Sequence, residues 1–114
     1  MNLYRYKYGG EIYRILSRKC GITLCRFFDS KREHWCKDFK ELKQYYEKIP
    51  AKKAKQIIAS KYIHKKSGNV YRVRNYAICK DRDVEVVIYT DSEGKCYTRE
   101  KSEFLEKFAN EPKG

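Results

Sequence analysis

Apolar and polar positions alternate along the chain in short runs, the rhythm of a β-rich fold. Ile22, Leu24, Arg26 and Phe28 interleave with Thr23, Cys25 and Phe27, a mostly apolar pattern that predicts a core strand over 22–29. Stretches rich in β-branched and aromatic residues and free of proline predict further strands over 11–20, 69–80 and 84–91. Shorter strands are predicted over 33–37 and 95–99, and Gly9-Gly10, Asp29-Ser30-Lys31, Ser67-Gly68-Asn69 and Asp91-Ser92-Glu93-Gly94 mark loops. A helix follows each set of strands. Asp38 with Glu41 three residues later has the form of a capping box, and Phe39, Leu42, Tyr46 and Ile49 continue at helical spacing up to Pro50. A second, shorter helix carries Phe104, Leu105 and Phe108 on its apolar face. Residues 51–60, AKKAKQIIAS, also have helical composition, with Pro50 in a favourable first-turn place. They read as a linker helix or as the first helix continued past a kink. These helical apolar stripes are expected to be core rather than binding grooves.

The layout occurs twice. YRYKYGGEIYRIL from Tyr4 lies over YIHKKSGNVYRVR from Tyr62, which matches Tyr4 to Tyr62, Gly10 to Gly68, Tyr13 to Tyr71 and Arg14 to Arg72. After a four-residue expansion in the second copy, Asp29 meets Asp91, Trp35 meets Tyr97, Glu41 meets Glu103, Leu42 meets Phe104 and Tyr46 meets Phe108. The matches keep one order and preserve residue character, so the chain reads as a tandem repeat. Several short strands followed by a helix, in a unit of roughly 50 residues, suit a small barrel with a helical appendage. The expected fold is therefore mainly β with helices (α+β): two small SH3-like barrels in tandem, each ending in a short helix. An α+β sandwich sharing one sheet has the same string of elements. The expected organisation is a first repeat over 1–49, a basic helical linker over 50–60 and a second repeat over 61–114.

Tyr62, His64, Lys65, Gly68, Asn69, Tyr71, Val73, Val86, Val87, Tyr89, Tyr97, Arg99 and Phe104 form a further pattern. They compose a Tyr-x-His-x-Lys opening, then Gly-Asn-x-Tyr-x-Val, a Val-Val-x-Tyr strand, and an aromatic-x-Arg before Phe. In this pattern residues 61–108 resemble a small bacterial domain family of unknown function, and the resemblance implies an SH3-type barrel. The first copy departs from the pattern, with Tyr6 in the His position and Glu11 in the Asn position, and Glu100 stands where the family has Pro. No activity follows from the resemblance.

Composition narrows the function. The chain has 114 residues, 41% of them hydrophobic, enough for a packed core. It has no apolar run near the ~20 residues that span a bilayer, and its start lacks a secretory h-region, so a cytoplasmic protein off the membrane is expected. Five cysteines (Cys20, Cys25, Cys36, Cys79 and Cys96) are an odd number at irregular spacing, which argues for reduced thiols rather than a disulfide framework. Cys20, Cys25, His34 and Cys36 are the sharper alternative, a zinc site, but no C-x-x-C pair exists. The repeat sets Cys25 opposite Val87 and Cys36 opposite Thr98, as fillers of ordinary strand positions. No metal and no cofactor are expected. With only His34 and His64 as histidines, and no Ser-His-Asp order, phosphate loop or H-E-x-x-H motif, an enzyme is not expected either.

Charge is the strongest clue. Lys and Arg total 27 against 15 Asp and Glu, a formal net charge of +12. Residues 1–57 hold 15 basic and 6 acidic side chains, and residues 58–114 hold 12 and 9, so the first copy and linker carry most of the excess. Basic residues interleave with tyrosines at the N-terminus, and Lys52, Lys53 and Lys55 crowd the linker. Cations neutralise phosphates and aromatic faces stack on exposed bases, which is the chemistry of a nucleic-acid surface. The expected function is a small basic nucleic-acid-binding module (DNA or RNA) without strong sequence specificity. Its expected contacts are Arg5, Lys7, Arg14, Lys52, Lys53, Lys55, Lys65, Lys66, Arg72 and Arg74, with Tyr4 and Tyr6 as candidate stackers. Alternating Tyr and Lys is equally the plain pattern of an aromatic core face with a charged outer face. The alternative function is a protein-interaction module, such as a phage or mobile-element inhibitor that binds an acidic surface of a host nucleic-acid enzyme.

Overall fold

A computed structural model describes residues 2–110. Two compact units divide the chain, Met1–Gln56 and Ile57–Gly114. Among the described residues the protein is mainly β with three helices, and the strands form two five-stranded antiparallel sheets, one in each unit.

In the first unit the elements are β1 (Leu3–Tyr6), β2 (Ile12–Ser17), β3 (Ile22–Arg26), β4 (Asp29–Cys36), α1 (Phe39–Tyr45) and β5 (Tyr46–Lys48). The strands lie in the order β4-β3-β2-β1-β5. Alternation on β3 sends Ile22 and Leu24 into a core with Tyr4, Tyr13, Cys36, Leu42 and Tyr46, against which Tyr6 and Ile15 pack. Cys25 is buried as well, so β3 is covered on both faces, which accounts for its unbroken apolar character. α1 begins where the capping box places it. Asp38 Oδ1 accepts the Glu41 N–H at 2.9 Å, while Glu41 Oε2 reaches back to the Lys37 N–H at 2.7 Å.

α2 (Ala51–Ala59) follows Pro50, and the unit boundary falls within it. The second unit continues with β6 (Lys61–His64), β7 (Val70–Cys79), β8 (Val84–Thr90), β9 (Cys96–Glu100), α3 (Lys101–Lys107) and β10 (Phe108–Asn110). Its strands lie in the order β10-β6-β7-β8-β9. Val87, Tyr89, Phe104 and Phe108 form the core, with Tyr62, Tyr71, Val73 and Tyr97 packed on it. Phe104 and Phe108 stack at 4.3 Å, and Tyr71 meets Phe108 edge-on at 5.3 Å.

Three expectations change. The first helix does not run on to Ile49. It ends at Tyr45, and β5 pairs with β1 through Tyr4–Lys48, Arg5–Glu47 and Tyr6–Tyr46. β10 likewise pairs with β6. In both places the free edge of the unit's first strand needs backbone partners, and the ladder offers them more completely than another helical turn. Leu105, expected on an apolar face, is half exposed, because α3 turns only Phe104 inward before Phe108 enters β10. The sheets are also not closed: among the described residues β4 and β5 each pair with one neighbour, as do β9 and β10. No helix among the described residues is long and apolar enough to cross a membrane.

Candidate functional site

The first unit holds an open cavity of about 690 Å³ whose walls come from β1, β2, β3, β4, α1 and β5. Its deepest residues are Tyr13, Cys36 and Tyr46, all buried. Tyr6, Glu11, Arg26 and Glu41 are half-buried around them, and Arg32, His34 and Tyr45 form the exposed rim. Aromatic contacts fix the floor: Tyr13 lies 4.9 Å from the His34 ring and 5.4 Å, edge-on, from Tyr46, and Tyr6 lies 5.3 Å from Tyr46. The Tyr46 hydroxyl and His34 Nδ1 share a hydrogen bond of 2.8 Å.

Trp35 pairs with Thr23, so its side chain leaves β4 on the face opposite His34 and Cys36, where two local features hold it. Its Nε1–H donates to the Cys20 carbonyl at 3.2 Å, and its ring lies against Gly21. Gly21 has φ +108°, and a Cβ there would come within 2.6 Å of the indole, so only glycine allows this approach. Trp35 remains 60% exposed on that face, and Tyr45, 38% exposed, leaves aromatic surface open at the cavity rim.

The electrostatics are mixed within the cavity and positive around it. Arg26 and Arg32 line the cavity together with Glu11 and Glu41. Burial pushes the Tyr46 phenol well above its ordinary value, aided by Tyr13 and Cys36. Burial likewise raises Tyr13, although the Arg26 charge opposes the rise. The Cys36 thiol is raised by burial, then by Glu41 and Asp38, so it is protonated at neutral pH and is no activated nucleophile. Among the described residues no three His, Cys, Asp or Glu side chains are grouped to hold a metal ion. The cavity can therefore stack, donate and accept hydrogen bonds, and pair with an anion at its rim.

The residues expected to contact nucleic acid fall into three groups. Lys52, Lys53 and Lys55 project from α2 and are exposed, opposite the buried Ala54 and Ile57. Arg5 is exposed on β1 but pairs with Glu47, and Lys7 donates to the Lys43 carbonyl at 2.6 Å. Arg14 is half-buried on β2, opposite Cys25. In the second unit, Lys65 and Lys66 are exposed in the turn after β6. Arg72 is half-buried on β7, its guanidinium pKa lowered by burial and then by Arg74, and Arg74 donates to Thr90 Oγ1 at 3.1 Å.

The tyrosines divide. Tyr4, proposed as a stacker, is only 9% exposed and belongs to the core, sandwiched between β2 and β5, so it has no free face for a base. Tyr6 is half-buried and lines the cavity. Trp35, Tyr45, Arg26 and Arg32 were not singled out from the sequence. The available signal was Trp35 itself, the sole tryptophan, within the polar stretch 31–38. Comparison with protein-family models, characterised proteins and solved structures finds no match to the chain.

Proposed function

We propose that the protein is a nucleic-acid-binding module whose first unit and α2 contact phosphates without strong sequence specificity. The observation that carries this reading is the placement of Lys52, Lys53 and Lys55. They stand in the first half of α2, a helix with no acidic residue in its first turn and no basic one in its last. The macrodipole makes that end of a helix favour anions, so Lys52 and Lys53 in the first turn oppose helix stability. None has a carboxylate partner among the described residues. A polyanion supplies the charge that the fold withholds.

The distribution of ion pairs supports the same reading. In the first unit only Arg5–Glu47 and Arg32–Asp29 pair among the described residues, and the latter is a loose contact of 3.7 Å. In the second unit Arg82–Glu100, Arg99–Glu103, Lys101–Glu85 and Lys107–Glu103 pair four of its cations. The first unit, with the larger excess of Lys and Arg, thus has the fewer carboxylate partners among the described residues. The two units are read as diverged copies of one SH3-type unit. Support comes from their shared strand order, fourth-third-second-first-fifth, with the helix between fourth and fifth in each. The free thiols Cys20 and Cys96, both exposed, suit a reducing cytoplasmic setting.

Fluorescence anisotropy with labelled single-stranded and duplex DNA and RNA, repeated across a salt series, tests the function. Binding with a steep negative slope of log K against log salt is expected. Absence of binding to every form at low salt overturns it. Retention of a stoichiometric acidic protein from nuclease-treated lysate would then replace nucleic acid with an acidic protein surface as the partner of these lysines.

A further inference from the structure

We infer that Trp35 and the cations around the β2–β3 turn form a stacking platform for single-stranded nucleic acid, on the face of the first sheet turned away from the cavity. This site rests on the nucleic-acid reading and adds the form of strand and the place where it is held. Ser17 pairs with Thr23, and Thr23 with Trp35, so one row of side chains crosses β2, β3 and β4 on this face. The two neighbours of the indole in that row are small, and the indole stays 60% exposed. Its Nε1–H is spent on the Cys20 carbonyl and its ring rests against Gly21, so its orientation is fixed before any ligand arrives. What it offers outward is π surface, and a ring already held in place loses little freedom on binding.

The cations stand close by. Arg18 and Lys19 immediately precede the Cys20 that holds the indole, and Lys37 follows Trp35 by two residues. All three are exposed, and none has a carboxylate partner among the described residues. The Arg18 guanidinium lies 5.2 Å from the centre of the Phe39 ring, which brings a second ring, itself partly exposed, beside the turn. Glu33 shares the face of Trp35, but it pairs with Cys25, farther along the sheet, and leaves the turn end positive.

An open ring flanked by unpaired cations fits a base and the phosphates on either side of it. Residues 1–56 hold 15 Lys and Arg against 6 Asp and Glu, an excess that attracts a polyanion and repels a basic peptide. An acidic peptide answers the cations but leaves the indole without a stacking partner. A duplex keeps its bases stacked on one another, whereas a single strand presents their faces without that cost.

Trp35 is the sole tryptophan, so its fluorescence reports on this platform directly. The full chain is titrated with a short oligothymidylate, an abasic oligomer of the same length, a duplex and an oligoglutamate. Expected are quenching by oligothymidylate and not by the duplex, and tighter binding of oligothymidylate than of the abasic strand. Trp35→Ala is expected to weaken oligothymidylate binding by about 5- to 150-fold, the effect of one lost stacking partner, with the salt slope unchanged. Trp35→Phe, which keeps a ring, should weaken it less. Arg18→Ala combined with Lys19→Ala alters only exposed turn positions and should flatten the single-strand salt slope by about 1.4, so it serves if Trp35→Ala does not fold. Equal binding of the abasic strand without quenching, or an unchanged slope in the turn variant, overturns the inference and leaves the phosphate-binding function standing. Tighter binding of oligoglutamate than of oligothymidylate overturns it in favour of an acidic protein segment. Failure of every nucleic-acid probe to bind overturns both the platform and the function.

Discussion

Replacing Lys52, Lys53 and Lys55 together by Ala separates a binding role from a structural one, because the two roles predict opposite effects on the same variant. At 3.6 residues per turn the three side chains cover an arc of about 160° on α2, facing away from the buried Ala54 and Ile57. Alanine is the better helix former, and Lys52 and Lys53 lie in the first turn, where each positive charge opposes the macrodipole by about 0.3–1 kcal/mol at low salt. The variant should therefore be at least as stable as the parent in thermal unfolding. Binding should move the other way. Each phosphate contact contributes about 0.7 to the log–log salt slope on single strands and about 0.9 on duplex. Loss of three contacts flattens the slope by about 2 or about 3 respectively. Between 50 and 200 mM salt the parent should then lose about 20-fold (single strand) or about 40-fold (duplex) more affinity than the variant. Anisotropy titrations at several salt concentrations, paired with melting curves, measure both quantities. A lowered melting temperature with an unchanged slope would refute the reasoning, since the lysines would then be serving the fold.

Three further outcomes follow from the packing. Asp38→Ala removes the acceptor of the Glu41 N–H and should destabilise the first unit by about 1 kcal/mol in urea unfolding, whereas Asp38→Asn should be nearly neutral. Phe104→Ala deletes a ring that is 1% exposed and stacked on Phe108, and should cost about 3–5 kcal/mol, seen as a lower denaturation midpoint. Burial alone would raise the Asp91 carboxyl. The N–H groups of Lys95 and Glu93, the Tyr97 hydroxyl and the Lys95 charge outweigh it and hold that carboxyl below the usual Asp range. The folded value lies below the unfolded one, so this stabilisation is complete above the ordinary Asp pKa, about 3.9, and is lost as pH falls through the folded value. Stability measured from neutral pH downward should thus decline less in Asp91→Asn than in the parent, and parallel curves would show that the shift contributes nothing.

The strands with dense β-branched and aromatic content were legible because their pattern matches their burial directly: Ile22 and Leu24 alternate in the sequence and point into the core in the fold. β5 and β10 were not legible. Leu42 and Tyr46, like Phe104 and Phe108, are four apart, which fits one face of a helix. They do share the core, but the second member of each pair reaches it from a strand, since β1 and β6 require a neighbour there. Local spacing therefore identified these four buried residues correctly and the backbone of Tyr46 and Phe108 wrongly, while Phe39 and Leu105 on the same stripes are exposed. The lysine cluster of α2 could be read in the sequence because its members are neighbours in the chain. The cavity could not, since five strands and a helix contribute to its lining and no short segment contains it.

Depth is the second quantity that periodicity does not carry. Tyr4, Tyr6 and Tyr8 alternate with Arg5 and Lys7, yet Tyr4 is 9% exposed, Tyr6 is half-buried and Tyr8 is 73% exposed. Tyr4 lies between two paired strands, while Tyr8 stands beyond the end of β1. Register is the third, and it separates the rings that the sequence aligns, Trp35 and Tyr97. Tyr97 pairs with the core residue Tyr89, stacks on it at 5.6 Å and donates its hydroxyl to Asp91 at 2.9 Å, which draws it over the core of the second unit. In the first unit the core residue Leu24 pairs with His34, whose ring lies 4.9 Å from Tyr13, while Trp35 pairs with Thr23. Alternation then sends the indole to the other face of the sheet, where its Nε1–H donates to the Cys20 carbonyl. A slip of one residue in the sequence alignment thus exchanges a ring over the core for a ring on the opposite face, which residue character alone does not reveal.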